Sequence, residues 1–476
     1  MTNFPNLIGG EWTMGTQSVP NVNPSDTADV IGQAARATAD EMDQAINAAH
    51  EAQKDWAKST PQQRFDVLDA IGTEILARKE ELGDLLSREE GKSLPEGIGE
   101  AARAGQIFKF FAGEALRLAG ERLDSVRPGV EVDMRREPLG VVGLITPWNF
   151  PIAIPAWKTA PAICYGNAVV LKAAEAVPGS AWALADIISR SGLPKGVFSL
   201  VNGRGSEIGP VMIDHPKVAG ISFTGSVQTG RSVAQACAVN FKKVQLEMGG
   251  KNPMVVLDDA DLEVAVGACV NGAFFSTGQR CTASSRMIVT EGIYDDFVAA
   301  MTKAVSALKV GDARDASTQI GPVIDERQLE KDLEYVEIAK AEGATLACGG
   351  ERLDGNGYFM SPALFTDTRN DMRINQEEVF GPVATIIKAK DYDEALALAN
   401  DTEFGLSAGI CTTSLKYATH FKANVKAGMV MVNLPTAGVD YHVPFGGTKG
   451  SSYGSREQGR YAAEFYTTVK TSYTQA

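Results

Sequence analysis

The chain has 476 residues, 44% apolar and 22% charged, a composition that suits a soluble α/β protein of two or three domains with deep cores. Its formal net charge of −14 argues against nucleic acid or an anionic membrane surface as the main partner, although a local pocket can still be positive on an acidic protein. The six cysteines, at 164, 237, 269, 281, 348 and 411, include no C-x-x-C pair, so they suggest neither a metal site nor a disulfide framework and fit a reducing compartment. The first ten residues lack the basic-then-apolar pattern of a secretion signal, and no run of about 18 apolar residues occurs, which predicts a cytoplasmic protein with no membrane span.

Residues 40–119 read as helices, with apolar residues at helical spacing through 45–56, 65–76 and 107–118. A hairpin is expected over 123–136, before Pro138. From Val141 short apolar runs at 141–145, 168–171, 197–201, 218–223 and 244–246 alternate with helical stretches, the pattern of a doubly wound parallel sheet. A second series follows, with strands at 254–257, 286–290, 383–389, 407–412 and 429–433 and helices at 261–274, 294–308, 325–341, 391–400 and 414–423. The fold class is therefore α/β with two doubly wound parallel sheets, and the boundary falls near Gly249-Gly250 without a flexible linker. The β-branched and aromatic tail at 465–473 has no partner strand nearby in sequence, so it is either an edge for subunit pairing or a strand folding back on its own subunit.

Chemistry concentrates in six motifs. Cys281 closes the run F-F-S-T-G-Q-R-C and is a candidate nucleophile once its proton is removed; Arg280 beside it either favours the thiolate or is a solvated loop residue. None of the four histidines lies in a recognisable catalytic motif, which leaves Glu247, in L-E-M-G-G, as the better base. Asn149, in P-W-N-F-P at the end of strand 141–145, offers an amide N–H for an oxyanion together with the backbone N–H of Cys281, or else caps the helix starting near Ile152. Lys172 and Glu175 end a strand where a carboxylate can accept from ribose hydroxyls and disfavour a 2′-phosphate, so NAD is expected ahead of NADP. Gly225-Ser226, opening a strand–turn–helix junction that ends at Gly230, suits a pyrophosphate or is a plain connecting turn. Glu378 and Phe380, in E-E-V-F-G-P, either hold a nicotinamide ribose and ring or form a solvated turn.

Together P-W-N-F-P, L-E-M-G-G-K, F-x-x-x-G-Q-R-C, E-E-V-F-G-P and P-F-G-G-x-K, in this order, resemble the aldehyde dehydrogenase superfamily over essentially the whole chain. The resemblance implies Cys281 as nucleophile, Glu247 as base and Asn149 as the oxyanion amide. It implies Lys172 and Glu175 at the adenosine ribose, Gly225 and Ser226 at the pyrophosphate, Glu378 and Phe380 at the nicotinamide, and Trp148 lining that cleft. It further implies a Rossmann-like NAD-binding domain from 1–120 and 139–248, a catalytic domain at 249–450, and an oligomerisation segment from 121–138 and 464–476 in a homodimer or homotetramer. Phe150, Ala153, Trp157, Arg280, Thr282 and the loop 435–443 with Val443 would surround a small-molecule aldehyde, and Arg280 with Thr282 could bind a distal carboxylate. G-Q-R-C-T-A-S-S-R, A-G-V-D-Y-H-V-P-F-G-G and S-R-E-Q-G look most like members acting on 2,5-dioxopentanoate, with succinate semialdehyde next and a broad aldehyde range third. Two departures from the superfamily pattern are Ala173 and the segment Ser451 to Glu457; the second is expected to affect its own loop and not the chemistry.

Overall fold

The computed structural model describes residues 2–475. The helical first third is set up by its caps. Thr38 and Glu41 form a reciprocal capping box before helix Ala39–Trp56, and Thr60 with Gln63 does the same before helix Pro61–Ala77, whose first residue is proline. Helices Lys79–Glu90 and Leu94–Ala115 complete the group. Gly72 and Gly105 let the backbones of Pro61–Ala77 and Leu94–Ala115 approach closely, because a Cβ on Gly72 would lie 2.8 Å from the Gly105 carbonyl oxygen.

The first large sheet has the strand order Ser452–Tyr453, Lys243–Glu247, Val218–Thr224, Val141–Ile145, Ala168–Lys172, Phe198–Leu200, Asn6–Ile8, Glu11–Thr13. Its five middle strands are parallel and are those expected from the sequence; they are largely buried, which explains their continuous apolar runs. Antiparallel strands extend this parallel core at both ends. Asn6–Ile8 and Glu11–Thr13 extend one end antiparallel, and Ser452–Tyr453 pairs antiparallel with Lys243–Glu247 at the other. Two-stranded and edge additions of this kind are too short to carry a clear period in sequence.

The second sheet runs Thr345–Cys348, Ala363–Thr368, Val383–Ala389, Arg286–Thr290, Pro253–Val256, Ser407–Cys411, Met429–Val432. The first two strands have no counterpart in the sequence reading. Thr345–Cys348 is a partly exposed antiparallel edge, and Ala363–Thr368 has only three apolar residues before Thr-Asp-Thr. A further three-stranded sheet near the N-terminus, from Thr2–Phe4, Ser18–Asn23 and Asp26–Ala35, was likewise not expected.

The hairpin is formed by Glu121–Asp124 and Val130–Pro138. The tail does have a partner in its own chain: Thr467–Gln475 pairs antiparallel with Val130–Pro138, from Thr467 opposite Pro138 to Gln475 opposite Val130. Its other edge carries no strand among the described residues.

The two halves meet along a close seam. Leu94 donates its backbone N–H to Ala313 O at 2.9 Å, and Gly91, the left-handed cap of helix Lys79–Glu90, abuts Gly321. A methyl group on Gly321 would overlap the Gly91 carbonyl oxygen. Gly321→Ala is therefore expected to lower stability by about 1–3 kcal/mol, seen as a lower midpoint in thermal unfolding; an unchanged midpoint would show that the seam yields.

Candidate active site

Helix Leu262–Phe274 ends against a tight loop that leads to Cys281. Ser276 and Thr277 adopt left-handed backbone angles (φ 51° and 56°), each costing on the order of 1–3 kcal/mol for a non-glycine residue. Glu96, on helix Leu94–Ala115, compensates: one of its carboxylate oxygens accepts from Ser276 N–H at 2.8 Å, Ser276 Oγ at 2.9 Å and Arg280 Nη2 at 2.7 Å. Thr277 Oγ donates to Gly321 O at 3.1 Å, and Gln279 Oε1 accepts from Ile324 N–H at 3.0 Å. The loop is pinned to both halves of the molecule.

Cys281 is half-buried on the wall of a cavity of about 310 Å³. Its carbonyl accepts from Asn252 Nδ2 at 2.8 Å, and Asn252 also binds Ala283 O and Ser407 N–H, so the backbone at the thiol is fixed from behind. Burial pushes the thiol up to about 12, and the carboxylates of Glu378 and Glu247 add to that. What pulls it down is the backbone N–H of Cys281 and of Thr282. Arg280 is neither a solvated loop residue nor a free cation beside the thiol, because it is largely buried and its charge is paired with Glu96.

Asn149 is buried, and its amide donates to Gln279 O at 2.9 Å, two residues before the thiol. This leaves its second N–H available. The capping alternative for Asn149 fails. The N-terminus of helix Ala153–Cys164 is capped instead by Glu100, whose Oε1 accepts from Ile152 N–H at 2.9 Å and Ala153 N–H at 3.0 Å. Glu100 also binds Lys92 Nζ at 2.6 Å, and Lys92 donates to Asn149 O at 2.7 Å.

Glu247 ends strand Lys243–Glu247 and is almost wholly buried. Ser452 Oγ donates to its Oε2, and Gln245 Nε2 to its Oε1 at 3.4 Å. Burial, then the neighbouring Glu457, raise its carboxyl well above the ordinary range, while Ser452, Lys158 and Arg456 oppose this. Glu457 forms a buried ion pair with Lys158. The segment Ser451 to Glu457 thus bears directly on Glu247, which corrects the expectation that it affects only its own loop.

Trp148 and Phe380 meet edge to face with centroids 5.5 Å apart, and Phe380 has φ 69°. Glu378 is half-buried, not a solvated turn. Its Oε1 accepts from Gly250 N–H at 2.9 Å, and any Cβ on Gly249 would overlap its carboxylate. Lys172 lies on a second, largely apolar cavity of about 320 Å³ with Gly205, Phe223, Thr229 and Val233. Glu175 is exposed and accepts from Gly205 N–H at 3.2 Å. Ser226 caps helix Val227–Val239, accepting from Thr229 N–H at 3.3 Å, and Gly225 precedes it. Ribose, adenine and pyrophosphate chemistry fit this row of groups. No three His, Cys, Asp or Glu side chains converge as a metal site among the described residues.

Phe150, Ala153, Trp157, Arg280 and Thr282 line the cavity at Cys281, as the sequence suggests. Val443 does not; Ala437, Gly438 and Val439 of the same loop, with Phe445 beyond it, take that wall. Sequence reasoning missed Lys92, Glu96, Glu100 and Arg103. The available signal was a stripe of charged residues at i, i+4 and i+7 of one helix, set among Gly97, Gly99, Ala101 and Ala104.

The raised thiol predicts that alkylation of Cys281 by iodoacetamide, in protein free of cofactor, keeps accelerating from pH 7 to pH 10. A plateau near pH 8 would indicate a thiol with an ordinary pKa.

Residues 12–472 match the aldehyde dehydrogenase family. The chain is 43% identical over 474 residues to an alpha-ketoglutaric semialdehyde dehydrogenase of Bacillus subtilis (strain 168), covering 98% of this chain and 97% of the relative. It is 44% identical over 475 residues to an alpha-ketoglutarate semialdehyde dehydrogenase of Haloferax volcanii, covering 98% of each. Among solved structures, betaine aldehyde dehydrogenase of Staphylococcus aureus in complex with NAD+ superposes with a TM-score of 0.97 at 36% identity, over 99% of this chain and 95% of that one. The chain belongs to the aldehyde dehydrogenase family.

Proposed function

We propose that this protein oxidises 2,5-dioxopentanoate (α-ketoglutaric semialdehyde) to 2-oxoglutarate with NAD. The reading rests on one conjunction: relatives of that activity at 43% and 44% identity, and a thiol on the wall of a small cavity rich in charged side chains. In this reading the first sheet with its helices (1–120 and 139–248) binds NAD, residues 249–450 form the catalytic domain, and 121–138 with 464–476 join subunits into a homodimer or homotetramer. The open edge of Thr467–Gln475 supports the last assignment.

Cys281 gives up its thiol proton to solvent water as its sulfur adds to the aldehyde carbon, and the resulting oxyanion is met by the second amide N–H of Asn149 and the backbone N–H of Cys281. Lys92 and Glu100 hold Asn149 and the start of the following helix in place for this. NAD, when bound, supplies the hydride acceptor. Glu378 and Phe380 would hold its nicotinamide half beside Trp148, Lys172 and Glu175 its adenosine ribose, and Gly225 with Ser226 its pyrophosphate. The exposed Glu175 carboxylate disfavours a 2′-phosphate, hence NAD ahead of NADP.

Once the carbon has lost hydride it is a thioester on Cys281. Glu247 takes a proton from the water that attacks it, and that proton returns to the departing sulfur, so the acid and a free thiol result. Both oxygens of Glu247 are engaged by Ser452 and Gln245, so the side chain must rotate towards Cys281 or act through a water. Its raised carboxyl places the basic form at higher pH, so turnover should rise from neutral to alkaline pH. A Glu at this position favours hydrolysis over transfer of the acyl group to coenzyme A.

Two measurements test this. Glu247→Gln should keep the first-turnover burst of NADH and lose steady-state turnover about 10²–10⁴-fold, whereas Cys281→Ala should lose both phases. Equal loss of burst and turnover in the two variants would refute the division of labour. Initial rates with 2,5-dioxopentanoate, succinate semialdehyde and long aliphatic aldehydes, each with NAD and NADP, should give the highest kcat/KM for 2,5-dioxopentanoate with NAD; higher values for the aliphatic series would overturn the substrate.

A further inference from the structure

Three cations and two carboxylates line the cavity at Cys281, and they are not equivalent. Lys92 is bonded to Glu100 at 2.6 Å and to Asn149 O, with its ammonium 3.9 Å from the centroid of the Phe150 ring. Arg280 is bonded to Glu96 at 2.7 Å, and that contact also carries the loop before the thiol. Releasing either would dismantle the site. Arg103 forms no ion pair among the described residues; its Nη1 donates to Val439 O and its Nη2 to Gln458 Oε1 at 3.0 Å, both neutral acceptors. Glu100 and Asp440 act on it only from farther away. The Nε–H of Arg103 is buried with no acceptor.

The neighbouring side chain has the same unmet capacity. The Arg103 guanidinium lies 6.0 Å from the Trp157 ring centroid, and the Trp157 Nε1–H is likewise buried without an acceptor. Trp157 stacks on Phe445 at 5.5 Å, and both residues line the cavity together with Arg103. Buried N–H groups without partners are rare and costly, so one on each of two neighbouring cavity-lining residues points to an acceptor that the protein itself does not supply.

We propose that Arg103 and Trp157 form the subsite for the far end of the substrate, Arg103 taking a carboxylate and Trp157 the carbonyl oxygen next to it, which selects a 2-oxocarboxylate over a plain carboxylate. A guanidinium suits this because its planar donors match a carboxylate, and an indole N–H supplies one further donor and no acceptor. Arg103, not Arg280, then sets the charge preference of the cavity. The inference rests on the function proposed above and adds the residues that read its substrate.

The test compares selectivity across three aldehydes of five carbons: 2,5-dioxopentanoate, 5-oxopentanoate and pentanal. In the unaltered protein kcat/KM should fall in that order. Arg103→Met should cut the ratio of 5-oxopentanoate to pentanal by about 30-fold or more, with Arg103→Lys in between. Trp157→Phe should cut the ratio of 2,5-dioxopentanoate to 5-oxopentanoate by about tenfold while largely sparing the ratio of 5-oxopentanoate to pentanal. If the unaltered protein shows no preference for the charged substrates, the proposed function fails, whatever the variants do. If it shows the preference and both variants keep it, or if Arg280→Lys loses the charge preference instead, the Arg103–Trp157 subsite fails and the function stands. Should Arg103→Met not fold, Arg103→Lys decides: a full charge-selectivity ratio together with unchanged protection of Cys281 from iodoacetamide by 2-oxoglutarate overturns the proposal.

Discussion

One turn of helix Leu94–Ala115 holds the two loops that make the site. Glu96 gathers the strained loop before Cys281, and Glu100, four residues on, gathers the start of helix Ala153–Cys164 and, through Lys92, the backbone of Asn149. These carboxylates sit one above the other on a helix because residues four apart share a face. Thiol and amide donor come from different sheets, so their relative position is only as good as this shared support. Buried, hydrogen-bonded charge is an expensive way to build such a support, since loss of one partner strands the other. It is also directional, which apolar packing is not.

The chemistry around Cys281 and Glu247 is set by exclusion of solvent more than by charge. Both groups are pushed towards their neutral forms, the thiol to about 12 and the carboxyl well upward. A thiol that holds its proton makes a quiet resting site, with little thiolate exposed to adventitious oxidation or alkylation. Ionisation then has to be coupled to arrival of the reactants.

The five parallel strands of the first sheet and five of the seven in the second were legible because buried parallel strands are unbroken apolar runs. The short antiparallel additions were not, since Asn6–Ile8 and Ser452–Tyr453 have no sequence period and acquire a neighbour only through distant chain. Of the site, the motif residues stood out by their glycine and proline context. Glu96, Glu100 and Arg103 did not, because a charged stripe on a helix ordinarily faces solvent, and only tertiary packing turns this one inward. Nor could the sequence show that Arg280, which does line the cavity, is already paired with Glu96, far off in sequence. It also left open whether the tail folds back on its own chain, its partner strand lying more than three hundred residues earlier.

The strand Ser452–Tyr453 completes the edge of the first sheet and delivers Ser452 to Glu247, and the residues after it deliver Glu457 to Lys158. A chain emerging from the ribosome therefore makes all the middle strands of that sheet long before it makes their last neighbour. Until residue 457 appears, Lys158 has its burial site but no carboxylate, and Glu247 has neither its serine nor its edge strand. The first half can collapse early, but the proton chemistry at its rim is assembled last, by nearly the final twenty-five residues.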